Sequence, residues 1–323
     1  MSLSSLNAPP LVATLSLSCF PVFRSLQDIF QRQAVSWTVV KGANLCAYGL
    51  SLWSVSRPGR YDGEVDGYDG KINEGKPPSE IAKMSPGKQG RTLLPPAGWA
   101  FAIWGPIFLG ELVMVGAQLT LEESSEIAPI IRKVTGPYVA AQIFQTLWTT
   151  SFRPKYNQGV YKYVSAVNLS GIAYALSFCH EAYSMSNINY TLGQYLLYFL
   201  PLSLHFGWTT AAALVNWNSM FALGAEVSSK AVAWLGHSSV VGATVIGLFV
   251  TLKRSAPVYG GVIVWALAAV ASGLANRIKF TEKEDRNRVG VHGAERQRIL
   301  SYSGAIANLV TSIVVSFSAS SLS

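Results

Sequence analysis

The sequence predicts an all-α, polytopic bundle of about eight membrane-spanning helices. Half of the 323 residues are apolar and only 13% are charged, against roughly 25% in an ordinary soluble domain. The charges are also segregated. Eight stretches, at about 33–56, 95–121, 134–152, 163–180, 191–225, 231–252, 255–276 and 299–323, hold 192 residues and only two of the 42 charges, Lys41 and Glu111. Each stretch is long enough, or nearly so, to cross a hydrocarbon core that takes about 20 helical residues. This pattern excludes a soluble globular enzyme and a disordered chain. It also excludes an outer-membrane barrel, whose short strands alternate apolar with polar residues.

Residues 1–32 precede the first stretch. They carry Ser2, Ser4, Ser5, Ser16, Ser18 and Ser25, with Arg24, Arg32 and the single acid Asp28. A serine-rich, acid-poor start with arginines fits an organellar address, for a chloroplast or a mitochondrion. A plain disordered tail is the other reading.

The stretch 33–56 is the weakest span, interrupted by Lys41, Gly42 and Asn44, with Trp37 and Trp53 near its ends where interfacial aromatics sit. Residues 57–94 form a long polar loop. Its acids fall at 62, 64, 66 and 69 with a glycine at 67. A calcium loop of the EF-hand type needs a bidentate Glu at its twelfth position, and none is properly spaced. The loop is read as solvated and turn-rich.

Pro95-Pro96 opens the second span, where proline suits a helix start because its missing donor is orphaned there anyway. Glu111 lies inside this span. A carboxylate is costly in lipid, so it is expected to face other helices or water. Two roles stay open: a carboxylate satisfied by a neighbouring hydroxyl, or a functional group. Residues 134–152 and 163–180 are joined by a short connection and read as antiparallel neighbours, with His180 and Glu181 expected at the headgroups. Residues 191–225 would extend about 52 Å as one straight helix, longer than a core of roughly 30 Å, so either a kink at Pro201 or first turns lying in the interface are expected. The last three spans are rich in Gly, Ala and Ser, and Ala269-x-x-x-Gly273 has the spacing that permits close approach.

Positive residues favour the cytoplasm-equivalent side. Alternate loops divide 18 Lys and Arg on one side from 6 on the other, which places both termini on the less basic side. The net charge of +8 finds its counter-charge in lipid headgroups, since no nucleic-acid-binding motif accompanies it. Cys19, Cys46 and Cys179 form no metal or redox pattern. There is no Gly-rich nucleotide loop, no HExxH and no GxSxG. No two histidines share a helix-face spacing, so a metal or haem site from paired histidines has no support, and no enzymatic activity is expected. His205 and His237, inside spans, read as hydrogen-bonded core residues.

Tryptophan remains. Trp99, Trp104, Trp148, Trp208 and Trp217 lie within or at the ends of apolar spans, with Gln145, Asn216 and Asn218 nearby in sequence. An aromatic-lined cavity with a few amides suits a flat, largely apolar ligand. Interfacial belts and ordinary helix packing are the competing reading.

The segment Pro95-Pro-Ala-Gly-Trp99-Ala-Phe101-Ala-Ile-Trp104-Gly-Pro-Ile-Phe108 resembles the second-helix signature of the TspO/MBR family, the tryptophan-rich sensory proteins related to the translocator protein. Gln145-Thr-Leu-Trp148-Thr-Thr-Ser-Phe152 is similar to that family's third-helix pattern. Trp208-Thr-Thr-Ala-Ala212-Ala-Leu-Val-Asn216 is similar to its fifth, and Leu200-Pro-Leu-Ser-Leu-His-Phe-Gly-Trp208 resembles the long, divergent branch. Two departures stand out. Phe101 and Trp104 are three residues apart where four is typical, and Gln145 replaces the usual Asn. The resemblance implies a five-helix core at 33–222, here followed by three further helices in 223–323. It implies non-catalytic binding, sensing or passage of a porphyrin-like, sterol-like or other lipid ligand. The residues implied to line the cavity are Trp99, Phe101, Trp104, Glu111, Gln145, Trp148, Trp208 and Asn216, with loop 57–94 over its mouth. The expected partners are membrane lipids and a small apolar ligand, and a homo-oligomer is left open. A transporter or channel using Glu111, and a structural subunit without ligand, are the rival readings.

Overall fold

The computed structural model describes residues 8–32, 35–60, 92–188, 190–223, 227–280 and 293–320. Among the described residues there are helices and no strands. The nine long helices are α1 Pro9–Gln31, α2 Trp37–Val55, α3 Trp104–Thr120, α4 Ala128–Ser151, α5 Val164–Ser184, α6 Leu200–Ala222, α7 Ser229–Lys253, α8 Pro257–Phe280 and α9 Ala294–Ser320. A helix stands at each of the eight expected spans. Four segments, Gly98–Thr120, Ser229–Lys253, Pro257–Ala275 and Ala294–Ser318, are long and apolar enough to cross a membrane.

The ninth helix, α1, lies in residues 1–32, where the expectation is an organellar address or a tail and not a helix. Pro9 and Pro10 start it, where proline costs no hydrogen bond. Val12, Ser16, Phe23 and Phe30 are buried, and α1 packs on α4 and α5. At Gly136 of α4, an added Cβ would lie 2.8 Å from the Gln27 backbone, so the two helices cross at contact distance because glycine stands there. A cleavage near residue 32 would strip this packed helix from the bundle.

The chain forms two compact units. The first comprises Met1–Pro58 and Ile103–Thr210, and the second Gly59–Ala102 and Ala211–Ser323. In the first unit α4 is the hub and packs on α1, α2 and α5. Its buried polar residues Thr135, Tyr138, Gln142, Gln145 and Thr149 are spaced by three and four, the spacing of one helix face. The helix begins six residues before the expected span, so Arg132 lies within it. Arg132 donates to Val35 O at 2.6 Å and to Glu123 Oε1 at 2.5 Å.

The charge in α2 is also accounted for. Lys41 Nζ donates to the carbonyls of Leu119 (2.8 Å) and Leu121 (3.4 Å), and Trp37 Nε1 donates to Leu121 O at 2.8 Å. These carbonyls end α3, where a helix leaves acceptors unpaired and its dipole favours a cation. One turn beyond Lys41, Asn44 Nδ2 donates to Gln118 Oε1 and Thr135 Oγ1.

Where a kink near Pro201 was expected, the helix type changes. Thr191 and Gln194 make a capping box, and a π-helical turn at Tyr195–Phe199 runs into α6. Proline at 201 cannot donate to residue 197 and its ring crowds that carbonyl, so the turn before it widens. His180 is buried against the rings of Tyr183 and Phe206 rather than lying at the surface. Its neighbour Glu181 is exposed.

In the second unit α7, α8 and α9 pack on one another. Three glycines receive polar side chains there. Gly304 takes Thr244, Gly247 takes Asn308, and Gly260 takes Ser312 and Thr251, each in the space a Cβ would fill. The Ala269/Gly273 pair is used differently from expectation. Ala269 O accepts from Ala97 N at 2.9 Å, and the Pro95 carbonyl lies where a Gly273 Cβ would be. The small residues of α8 admit an extended segment at this point. The acidic loop at 61–70 lies outside the described residues.

Candidate functional site

The first unit encloses one acid. Glu111 on α3 is fully buried. Its Oε1 lies 2.6 Å from His205 Nδ1 on α6. Its Oε2 accepts from Gln142 Nε2 at 2.9 Å and from Tyr138 OH at 3.3 Å, both on α4. Tyr138 and Gln142 of α4 donate to this carboxyl group, and the His205 ring of α6 faces it at hydrogen-bond distance. Without such partners a charge in a membrane interior is expensive.

The sequence brings these groups together by simple registers. Tyr138 and Gln142 are four residues apart and share a face of α4. Gly110, next to Glu111, faces Pro201 on α6, where a Cβ would lie 2.9 Å from the proline ring. That close approach of α3 and α6 lets the short Glu111 side chain reach His205, one turn beyond Pro201.

A tryptophan cluster lies beside the acid. Trp104 stacks on Phe108 (ring centroids 5.1 Å apart) and on Trp148 (6.2 Å), and Trp148 stacks on Phe152 (5.4 Å). The four rings form a run with interplanar angles of 14°, 23° and 21°. Trp208 meets Trp104 edge-on at 6.3 Å, and His205 does so at 5.7 Å. Between the acid and the rings, Gln145 is fully buried with neither its Nε2 nor its Oε1 hydrogen-bonded. His205 Nε2 is likewise buried and unpartnered. An unpaired buried amide costs free energy comparable to the bonds it lacks.

Of the eight residues named from sequence, five gather here: Trp104, Glu111, Gln145, Trp148 and Trp208. The other three belong to the second unit. Trp99 packs edge-on to Trp265 at 4.6 Å and is 44% exposed. Phe101 is exposed and Asn216 is buried. The segment carrying Trp99 is pinned to α8 by Trp265 Nε1, which donates to Ala100 O at 3.0 Å. Sequence reasoning missed Tyr138 and Gln142 and gave His205 only a core role. The three-and-four spacing of polar residues in α4 was the available signal for the first two. Nothing in the sequence pairs His205 with Glu111 across 94 residues. No group of three or more potential metal ligands occurs among the described residues.

Apolar helices around an inward-facing carboxylate and stacked indoles define a multi-pass helical protein of the membrane. The family model described as TSPO-like protein matches residues 77–281, more than half of the chain. The chain belongs to that family, as the tryptophan motifs implied. No match was found among the curated proteins or among the solved structures.

Proposed function

We propose that the protein binds a flat, largely apolar ligand of tetrapyrrole or sterol character against the Trp104–Trp148–Trp208 cluster, as a non-catalytic sensor or carrier in an organellar membrane. The carrying observation is the near-parallel run Phe108–Trp104–Trp148–Phe152 beside the unpartnered Gln145 amide. Flat faces favour a flat ligand, and one or two polar groups fix its orientation.

Titration of the detergent-solubilised protein with protoporphyrin tests this reading. Tryptophan fluorescence should be quenched saturably, and Trp208→Phe should remove a large share of the quenching. A folded Trp104→Phe/Trp148→Phe/Trp208→Phe variant should bind at least tenfold more weakly, a change of about 1.4 kcal/mol. Unchanged affinity in that variant would leave the rings as packing only.

The polar face of α4 favours a second reading, passage of a polar solute with Glu111 as the coupling group. Intramembrane acids facing a bundle interior commonly serve such paths. Flux into vesicles that is lost in Glu111→Gln while protoporphyrin binding persists would select it.

A further inference from the structure

We propose that a cavity at the entry end of α4 binds the headgroup of a zwitterionic phospholipid bearing a primary amine, with Arg132 and Lys133 holding the phosphate and Glu123 the ammonium. The site is separate from the indole cluster. Arg132 and Trp148 stand at opposite ends of α4, about 24 Å apart along its axis.

The packing of α1 fixes the level of the cavity. Val12, near the start of α1, packs with Tyr156 and Val164, which follow the exit of α4. Phe20 meets Phe144 at 4.9 Å, and the Gln27 backbone meets Gly136. Gln31 reaches the first turn of α4, where it lines the cavity. The two helices therefore run antiparallel along their lengths of 23 and 24 residues. Such helices are about 35 Å long, slightly more than the roughly 30 Å hydrocarbon core, so the cavity lies in the headgroup layer. Arg132 Cζ and Lys41 Nζ stand 5.8 and 6.0 Å from the Trp37 ring centroid at this end. Tryptophans and long cationic side chains prefer that layer.

The cavity has a volume of about 350 Å³ and is lined by Gln31, Glu123, Ala128, Pro129, Arg132 and Lys133. The first amides of α4 are already engaged. Ala128 N donates to Ser125 O, Ile130 N and Ile131 N donate to Ile127 O, and Pro129 has no N–H. Side chains must therefore supply the donors. The Arg132 side chain is only 10% exposed, and Val35 O holds its Nη1 at 2.6 Å, so the guanidinium is a fixed cation in the cavity wall. Lys133 is exposed beside it and forms no ion pair among the described residues. Glu123 is 61% exposed and gives Oε1 to Arg132 Nη2, which leaves Oε2 for a second donor.

Two cations beside one carboxylate match a phosphate joined to an ammonium by a short linker. Guanidinium and ammonium groups bind phosphate through charge-assisted hydrogen bonds, and the ligand's ammonium donates to Glu123 Oε2. An anionic headgroup without an amine brings nothing to Glu123 and meets the exposed Glu122 and Glu126 of the same connection. A choline headgroup has no N–H to donate, so it cannot make the Glu123 bond.

Native mass spectrometry of the full chain in mild detergent reads the affinity of phosphatidylethanolamine, phosphatidylcholine and phosphatidylglycerol with identical acyl chains. Phosphatidylethanolamine should bind at least about fivefold more tightly than either of the others. Lys133→Gln should weaken phosphatidylethanolamine and phosphatidylglycerol alike. Glu123→Gln, which keeps an acceptor for Arg132, should bring the ratio of these two lipids to one or below. Both positions are exposed, so neither change touches the packed interior. Lys230→Gln, on α7 in the second unit, is the control and should change no affinity. Soluble O-phosphoethanolamine should not displace the lipid at equal concentration, and displacement would overturn the assignment to a lipid in favour of a soluble phosphoamine. Equal binding of the three lipids, or tightest binding of another than phosphatidylethanolamine, would overturn the proposal. A preference that survives both Lys133→Gln and Glu123→Gln would overturn it as well, as would failure of all three lipids to bind.

Discussion

His205 on α6 and Glu111 on α3 are both fully buried and meet through Nδ1 and Oε1 at 2.6 Å. The contact joins two helices across a sequence separation of 94 positions, in a setting where an apolar face provides no hydrophobic drive toward another apolar face. Packing and polar contacts must then hold the helices together. The Glu111 cluster, tying α3, α4 and α6, is the most concentrated of these in the first unit.

Glu111 is accordingly the substitution with the largest expected cost. Glu111→Leu leaves the His205 ring and the Gln142 and Tyr138 donors facing an apolar side chain. Removing one partner of a buried charged network costs about 3–5 kcal/mol. Glu111→Gln keeps an acceptor oxygen and should cost less than half as much. Thermal unfolding in one detergent should rank wild type above Glu111→Gln, and Glu111→Gln above Glu111→Leu. A Glu111→Leu protein as stable as wild type would contradict the network.

Lys41 offers an independent test at one end of the same unit. Its ammonium lies over the carbonyls that end α3, alongside the indole N–H of Trp37. Lys41→Met preserves the stem and removes the charge. The expected cost is about 1–2 kcal/mol, for a charge-assisted hydrogen bond at a helix C-terminus. Trp37→Phe removes a neutral donor from the same Leu121 carbonyl and should cost less. If Lys41→Met were neutral while Trp37→Phe destabilised, the indole alone would be the cap.

The fold was legible because lipid leaves a coarse trace. Spans appear as long uncharged runs, and all eight expected spans carry helices. The N-terminal helix α1 was not read as part of the bundle because its serines, Arg24 and Asp28 fit an address or a tail, and only its packing on α4 and α5 shows which face is buried. The site was half legible. Tryptophans and Glu111 stand out by type, so Trp104, Trp148, Trp208 and Glu111 could be named. The distribution of those residues between two units could not be, since Trp99 and Trp104 are five residues apart yet fall on either side of a unit boundary. His205 was invisible for a different reason: its meaning depends on a partner far away in the chain.

Gly273 tests the second unit. The Pro95 carbonyl occupies the place of its Cβ, and one turn away Ala269 O holds Ala97 N. Any side chain here collides with backbone, which cannot rotate away as a side chain can. Gly273→Val should therefore exceed the roughly 1–3 kcal/mol of ordinary overpacking. Gly261, where a Cβ would meet nothing within 4 Å, is the control on the same helix, and Gly261→Ala should be neutral or slightly stabilising. Equal thermal stability of Gly273→Val and Gly261→Ala would show that the segment does not sit on α8.

The sidedness of the first unit follows from its two ends. At one end Arg153 Nη1 donates to Pro58 O at 2.7 Å, which joins the exit of α2 to the exit of α4. At the other end Arg132 donates to Val35 O at 2.6 Å, which joins the entry of α2 to the entry of α4. The two helices are therefore parallel, and the residues just after each of them emerge on one face of the membrane. Arg57, Arg60, Arg153, Lys155 and Lys162 all follow these exits. Positive residues concentrate on the cytoplasm-equivalent side, so this end should face it. With Cys19, Cys46 and Cys179 replaced by serine, single cysteines at Arg57 and Lys155 should react with a membrane-impermeant maleimide from the same side. A single cysteine at Glu122, in the connection between α3 and α4, should react only from the opposite side. Labelling of the Arg57 and Lys155 positions from opposite sides would break the parallel arrangement of α2 and α4. Labelling of all three from one side would mean that α3 and α4 do not cross the bilayer as a pair.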